Sequence, residues 1–146
     1  AYVLRIAAAK AQAIARGAGE IVLAGDTTIA AGRRILGKPA DAAEARRMLE
    51  LLSGRRHHCL SAVAAINTDG KLRTRLSDTI VAFKPLSAAE IDAYLASGEW
   101  EGKAGAYAIQ GRAGAFAEHM AGSYSGIMGL PMFEAAQLLR SVGIKV

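Results

Sequence analysis

With 146 residues, 52% hydrophobic and 21% charged, the chain is long enough to bury one substantial core and too apolar to stay disordered. No apolar run approaches the roughly 20 residues of a membrane span, and the single cysteine, Cys59, excludes an internal disulfide, so the reducing cytoplasm is the default compartment. The net charge of +5 suits an anionic partner; its densest basic cluster (Arg46, Arg47, Arg55, Arg56) has no interleaved aromatics, which disfavours nucleic acid relative to phosphorylated metabolites.

Residues 1 to 16 are helical in pattern, with Val3, Ile6, Ala7, Ala13 and Ile14 spaced for one face. No capping residue precedes them, so the chain is expected to begin inside an element, an upstream portion being absent. Lys10 on this helix reads first as a solvated lysine. Residues 21 to 24, Ile-Val-Leu-Ala, read as a short strand buried on both faces. Gly25 and Asp26 then fall where the strand leaves the sheet, which is where open α/β sheets place ligands. A hairpin follows, residues 27 to 31 and 35 to 36 being joined through Gly32, Arg33 and Arg34. Lys38, between Gly37 and Pro39, sits in a turn that would hold an ammonium group in one place. A carboxylate and a cation are thus presented by one strand-loop-strand unit, although the local pattern alone favours a turn cap at Asp26 and a solvated Lys38.

Asp41 and Glu44 read as a capping box for a helix whose stripe is Ala45, Met48, Leu49 and Leu52. Ser53 and Gly54 end it. Strands over residues 57 to 66 and 71 to 83 are joined by a tight turn at residues 67 to 70. His57 and His58 point to opposite faces and so cannot chelate one metal together. Cys59 reads as a small core residue. Ser87 and Glu90 cap a further helix, with Ile91, Tyr94 and Leu95 inward and an end at Ser97 and Gly98. From Lys103 to Gly111 the only long polar side chains are Lys103, Tyr107 and Gln110, and their small neighbours would let a ligand or another backbone come close. A glycine loop followed by a strand fits that stretch equally well. A strand over residues 116 to 120, a short apolar piece over 124 to 130 and a helix from Pro131 to before Gly143 complete the chain. This order mixes crossovers with hairpins, so the expected fold is a single α/β domain with a mixed, twisted sheet and flanking helices.

Six of these stretches stand in the order of a known family: Gly25-Asp26-Thr27; Gly37-Lys38-Pro39; Leu52-Ser53-Gly54 followed by His57; Ser97-Gly98-Glu99; Lys103 through Tyr107 and Gln110 to Gly111; and Gly129-Leu130-Pro131. Together they resemble the Maf family of nucleoside triphosphate pyrophosphatases, first described as septum formation inhibitors. Family members open with a strand and a Ser-Pro-Arg-Arg type loop that binds substrate phosphates. Neither is present here, so the amino-terminal strand and phosphate loop are expected to be missing. Gly102 stands where many relatives carry aspartate.

The resemblance implies hydrolysis of a nucleoside triphosphate between the α and β phosphates. It further implies that Lys10, Lys38 and Lys103 surround the phosphates, and that Asp26 accepts the proton of the attacking water or holds a magnesium or manganese ion, or both. Glu99 is the other acidic candidate at the substrate. Gln110 lies where an amide can hydrogen-bond a base edge, and Tyr107 where a ring can pack near it. The form of the Lys103 to Gly111 stretch is similar to the branch acting on dTTP and UTP, with 7-methylguanosine triphosphate the runner-up. A different reading is a regulator of cell division that binds a nucleotide or nucleic acid without turnover. A homodimer is expected from the resemblance alone.

Overall fold

The computed structural model of the protein describes residues 2–14, 17 and 19–146. The elements run α1 (Tyr2–Ala13), β1 (Val22–Ala31), β2 (Arg34–Leu36), α2 (Ala42–Leu52), β3 (Arg56–Ile66), β4 (Leu72–Phe83), α3 (Ala88–Ser97), β5 (Ala117–Ala121), α4 (Tyr124–Met128) and α5 (Met132–Ser141), with 3-10 turns at Ala104–Ala106 and Arg112–Ala115. The expected first helix is α1; Ala1 and Arg16, at the bounds expected for it, lie outside the described residues.

Local chemistry sets most boundaries. The Asp41 carboxylate accepts the Glu44 amide at 2.8 Å and so starts α2, with only this half of the expected box in place. At α3 both halves form: the Ser87 hydroxyl accepts the Glu90 amide at 3.1 Å, and the Glu90 carboxylate accepts the Ser87 amide at 3.0 Å. Each such cap is worth about 1 kcal/mol. Gly98, left-handed at φ 74°, terminates α3.

The sheet order is β2-β1-β3-β4-β5. β1 pairs antiparallel with β2, Ile29 opposite Leu36, and β4 pairs antiparallel with β5, Ile80 opposite Ala121, with a bulge at Ala82 and Phe83. β3 and β4 are joined at Asn67, whose side chain accepts the amides of Asp69 and Lys71 at 3.0 and 2.8 Å. The α/β class is therefore as expected. Its mixed character lies in helices combined with a five-stranded antiparallel sheet.

The chain groups into two compact units, one made of Ala1–Thr27, Leu60–Asp78 and Ser123–Val146, the other of Thr28–Cys59 and Thr79–Gly122. In the first unit β3 feeds two cores by strand alternation. Ala62, Ala64 and Ile66 cluster with Val22 and with Val3, Ala7 and Ala11 of α1, whereas Val63 and Ala65 cluster with Ala135 and Leu138 of α5. In the second unit the buried side chains include Leu49, Leu52, Val81, Phe83, Tyr94, Tyr107 and Phe116. Cys59, 1% exposed, belongs to the same interior, as its apolar setting suggested.

One expectation is corrected. β1 is one strand of ten residues, so Asp26 lies within it rather than at its exit. The apolar piece at 124 to 130 is a short helix, α4, started by the Ser123 hydroxyl accepting the Gly126 amide at 3.0 Å. Among the described residues no helix is long and apolar enough to cross a membrane.

Candidate active site

In the first unit, strand parity decides which way Asp26 faces. Val22 and Ala24 pack in the α1 cluster, and Asp26 follows them at the same period of two. Lys10 follows Val3 and Ala7 on the buried side of α1, at spacings of seven and three. The two meet: Lys10 Nζ donates to Asp26 Oδ1 at 2.6 Å and to the Gly25 carbonyl at 3.3 Å. The carboxylate is 17% exposed and the ammonium side chain 53%. This is a charged pair open to solvent on one side, worth no more than about 1 kcal/mol to the fold. Lys10, read first as a solvated lysine, is thus engaged.

On the opposite parity, Ser61 donates to the Gly126 carbonyl, and the single hydroxyl proton of Thr27 faces both the Ser61 oxygen at 2.9 Å and the Gly129 carbonyl at 3.4 Å, the shorter contact being the hydrogen bond. Neither hydroxyl stood out in the sequence. The only available signal was the pairing of Thr27 with the adjacent carboxylate.

In the second unit, one backbone bond joins the two lysine-bearing segments. The Gly105 amide donates to the Gly37 carbonyl at 3.1 Å, which ties the turn carrying Lys38 to the segment carrying Lys103. Both lysines are exposed. Gly105 adopts φ 67°, and a Cβ on it would lie 2.8 Å from Ile29 Cγ1. Ala106, also left-handed at φ 71°, continues this turn, so the strand weighed for the stretch is replaced by 3-10 turns. Gly102, too, is left-handed at φ 69°, a conformation that an aspartate there would adopt only at a cost.

The segment is anchored at three further places. Tyr94 donates to the Ala106 carbonyl at 2.9 Å. Tyr107 is 5% exposed, not available to pack beside a base as expected; its hydroxyl shares a 2.6 Å hydrogen bond with His57 Nε2, and its ring meets those of His57 and Phe83 edge to face. Glu99, expected near a substrate, turns its carboxylate to Arg112, accepting the backbone amide at 2.9 Å and Nε at 3.2 Å. Gln110 is exposed at the surface of this unit. A cleft of about 400 Å³ in the same unit is lined by Glu90, Ala93, Tyr94, Arg112, Ala115 and Phe116. None of these was a candidate, and the walls are too apolar for a triphosphate.

Burial of His57, reinforced by the neighbouring His58, pushes its imidazole down to about 4. Burial likewise drives the Tyr107 phenol well above its ordinary range and the Tyr94 phenol up to about 12. The tie between His57 and Tyr107 is therefore one between neutral groups at neutral pH, and His57 Nδ1 has no hydrogen-bond partner among the described residues. Between pH 6.5 and about 4 the unfolded chain binds a proton at His57 that the folded chain does not. Stability thus rises with pH across that window and is lost on acidification, by up to roughly 3 kcal/mol. Thermal melts at pH 7 and 4.5 are expected to show this loss, with a clearly smaller one for His57→Gln; equal acid losses would contradict it.

Among the described residues no group of three or more His, Cys, Asp or Glu side chains is placed to hold a metal ion. Asp26 offers a hard, partly exposed carboxylate. A hard oxygen donor of this kind is of the type that suits magnesium or manganese.

The sequence pattern of the Maf family, described as Maf-like protein, matches residues 1–142. A dTTP/UTP pyrophosphatase of Sphingopyxis alaskensis is 65% identical over 143 residues, which cover 98% of this chain and 75% of that protein. One of Novosphingobium aromaticivorans is 56% identical over 146 residues, covering 99% and 73%. One of Cereibacter sphaeroides is 55% identical over 143 residues, covering 98% and 74%.

Proposed function

Because the chain belongs to the Maf family, we propose that it is a nucleoside triphosphate pyrophosphatase that converts dTTP and UTP to the monophosphate and pyrophosphate. The observation that carries this reading is the 65% identity to a relative named dTTP/UTP pyrophosphatase. It favours pyrimidine nucleotides over 7-methylguanosine triphosphate, and turnover over a purely regulatory role. The protein works in the cytoplasm, with the nucleotide as its partner and a second copy of the chain expected beside it.

In this reading water attacks the α-phosphorus and Asp26 takes its proton, while the bond from the α-phosphorus to the bridging oxygen breaks and pyrophosphate leaves. Negative charge grows on the leaving group. Lys10, Lys38 and Lys103 answer it as compact, mobile cations. The Lys10 ammonium beside Asp26, and the backbone bond between the Lys38 and Lys103 segments, support these roles. A divalent ion arriving with the triphosphate and held by Asp26 would supply further neutralisation of phosphate charge. Gln110 reads the base, its amide matching the donor and acceptor of the imide edge shared by thymine and uracil.

The test is pyrophosphate release from UTP and dTTP with magnesium. Lys38→Ala and Lys103→Ala are each expected to lower kcat/KM by about 100-fold, as loss of a transition-state contact does. Unchanged constants would remove that lysine from the site, and release of orthophosphate in place of pyrophosphate would refute the cleavage position.

A further inference from the structure

We propose that Glu99 is a positioning residue that sets base selectivity by fixing the backbone next to Gln110, an inference that rests on the reading of Gln110 as the base contact. Glu99 follows directly on the end of α3, where its own amide is held by the Ser97 hydroxyl at 3.2 Å. From there its carboxylate crosses to the 110 to 112 turn. Oε1 accepts the Arg112 amide at 2.9 Å, and Oε2 lies 3.2 Å from Arg112 Nε.

Gly111 is shaped to receive it. A Cβ built there would stand 2.1 Å from Glu99 Oε1 and 3.4 Å from Cδ, so the carboxylate occupies the space where a side chain at position 111 would be. The carboxylate, 34% exposed, is thus seated against the bare backbone that follows Gln110. Both its oxygens are engaged, and a carboxylate beside a triphosphate would repel it. A hydrogen bond from the exposed Arg112 guanidinium adds little, whereas the one from the backbone amide determines the path of residues 110 to 112.

Selectivity is where this shows. An amide can satisfy the imide edge of uracil, or, turned over, the amine and ring nitrogen of cytosine. A Gln110 backbone held in one place restricts that choice; a loosened one admits both.

The experiment compares kcat/KM for UTP and CTP and the hydrogen exchange of the Arg112 amide. Glu99→Ala is expected to lower the UTP to CTP ratio by about 10-fold, the worth of one well-placed hydrogen bond, and to speed exchange at Arg112. Glu99→Gln, which keeps an acceptor oxygen, retains both the ratio and the protection. Gly111→Ala, which evicts the carboxylate without removing it, reproduces Glu99→Ala, and the double variant loses nothing more. Equal losses for UTP and CTP in Glu99→Ala, or unchanged exchange at Arg112, would overturn the proposal while leaving Gln110 as base reader. A UTP to CTP ratio unmoved by Gln110→Ala would overturn the base reading itself, and this inference with it.

Discussion

Asp26→Asn is expected to abolish pyrophosphate release, a loss of roughly 10²–10⁴-fold in kcat, the range that a positioned proton acceptor contributes. Asparagine keeps the shape of the side chain and its hydrogen-bonding reach, so Lys10 retains an oxygen to bond at about the present 2.6 Å. What is lost is the negative charge and the capacity to take a proton. Because the Lys10 side chain is 53% exposed, the change in stability should stay within about 1 kcal/mol. Pyrophosphate assays alongside thermal melts separate the two effects. Turnover like that of the wild type would take Asp26 out of the mechanism, and a collapsed melt would make its role one of folding.

The largest effect on stability is expected from Gly105→Ala. The residue is left-handed at φ 67°, which costs an alanine about 1–2 kcal/mol. Its new Cβ would also lie 2.8, 3.1 and 3.2 Å from Cγ1, Cβ and Cγ2 of Ile29. Ile29 is 2% exposed within β1 and paired with Leu36, so it cannot give way without disturbing the sheet. Such overpacking adds about 1–3 kcal/mol. The sum, about 2–5 kcal/mol, corresponds to a fall in Tm of roughly 4–20 °C for a chain of this size. Gly32→Ala is the companion: it has φ 58° with open space around the missing side chain, and should cost only the conformational part, about 1–2 kcal/mol. Equal melts for the two variants would show that the wall formed by Ile29 has no influence. Since Gly105 also donates to Gly37, its replacement should lower activity as well, by loosening the Lys38 turn from the Lys103 segment.

These two residues also mark how far the sequence could be read. Caps were legible because their chemistry is local: Asp41 and Ser87 each find an amide three residues on, and nothing distant can override that. The opposite facing of His57 and His58 was legible for the same reason, the first being buried and the second exposed. At Gly25 and Asp26, local propensity argued for a strand end, but β1 runs on past them, with Thr27 tied to Ser61 of β3. Propensity lost to tertiary contact there. The stretch from Lys103 to Gly111 was recognised as chemically unusual, yet its form depends on partners far along the chain: Gly37, His57 and Tyr94. No spacing within the stretch could have shown that Tyr107 turns inward to His57, or that Glu99 reaches Arg112. Residue types at the candidate site were therefore readable, and the ties that hold them were not.

The layer between α1 and β3 is thin, since Ala7 and Ala11 share their cluster with Ala62 and Ala64. Methyl groups act there as the shims of a gauge, and the gap between an ammonium and a carboxylate is machined by residues that have no chemistry of their own. A single larger shim would lift the helix and open that gap, so mutational tolerance beneath α1 should track side-chain bulk far more closely than polarity.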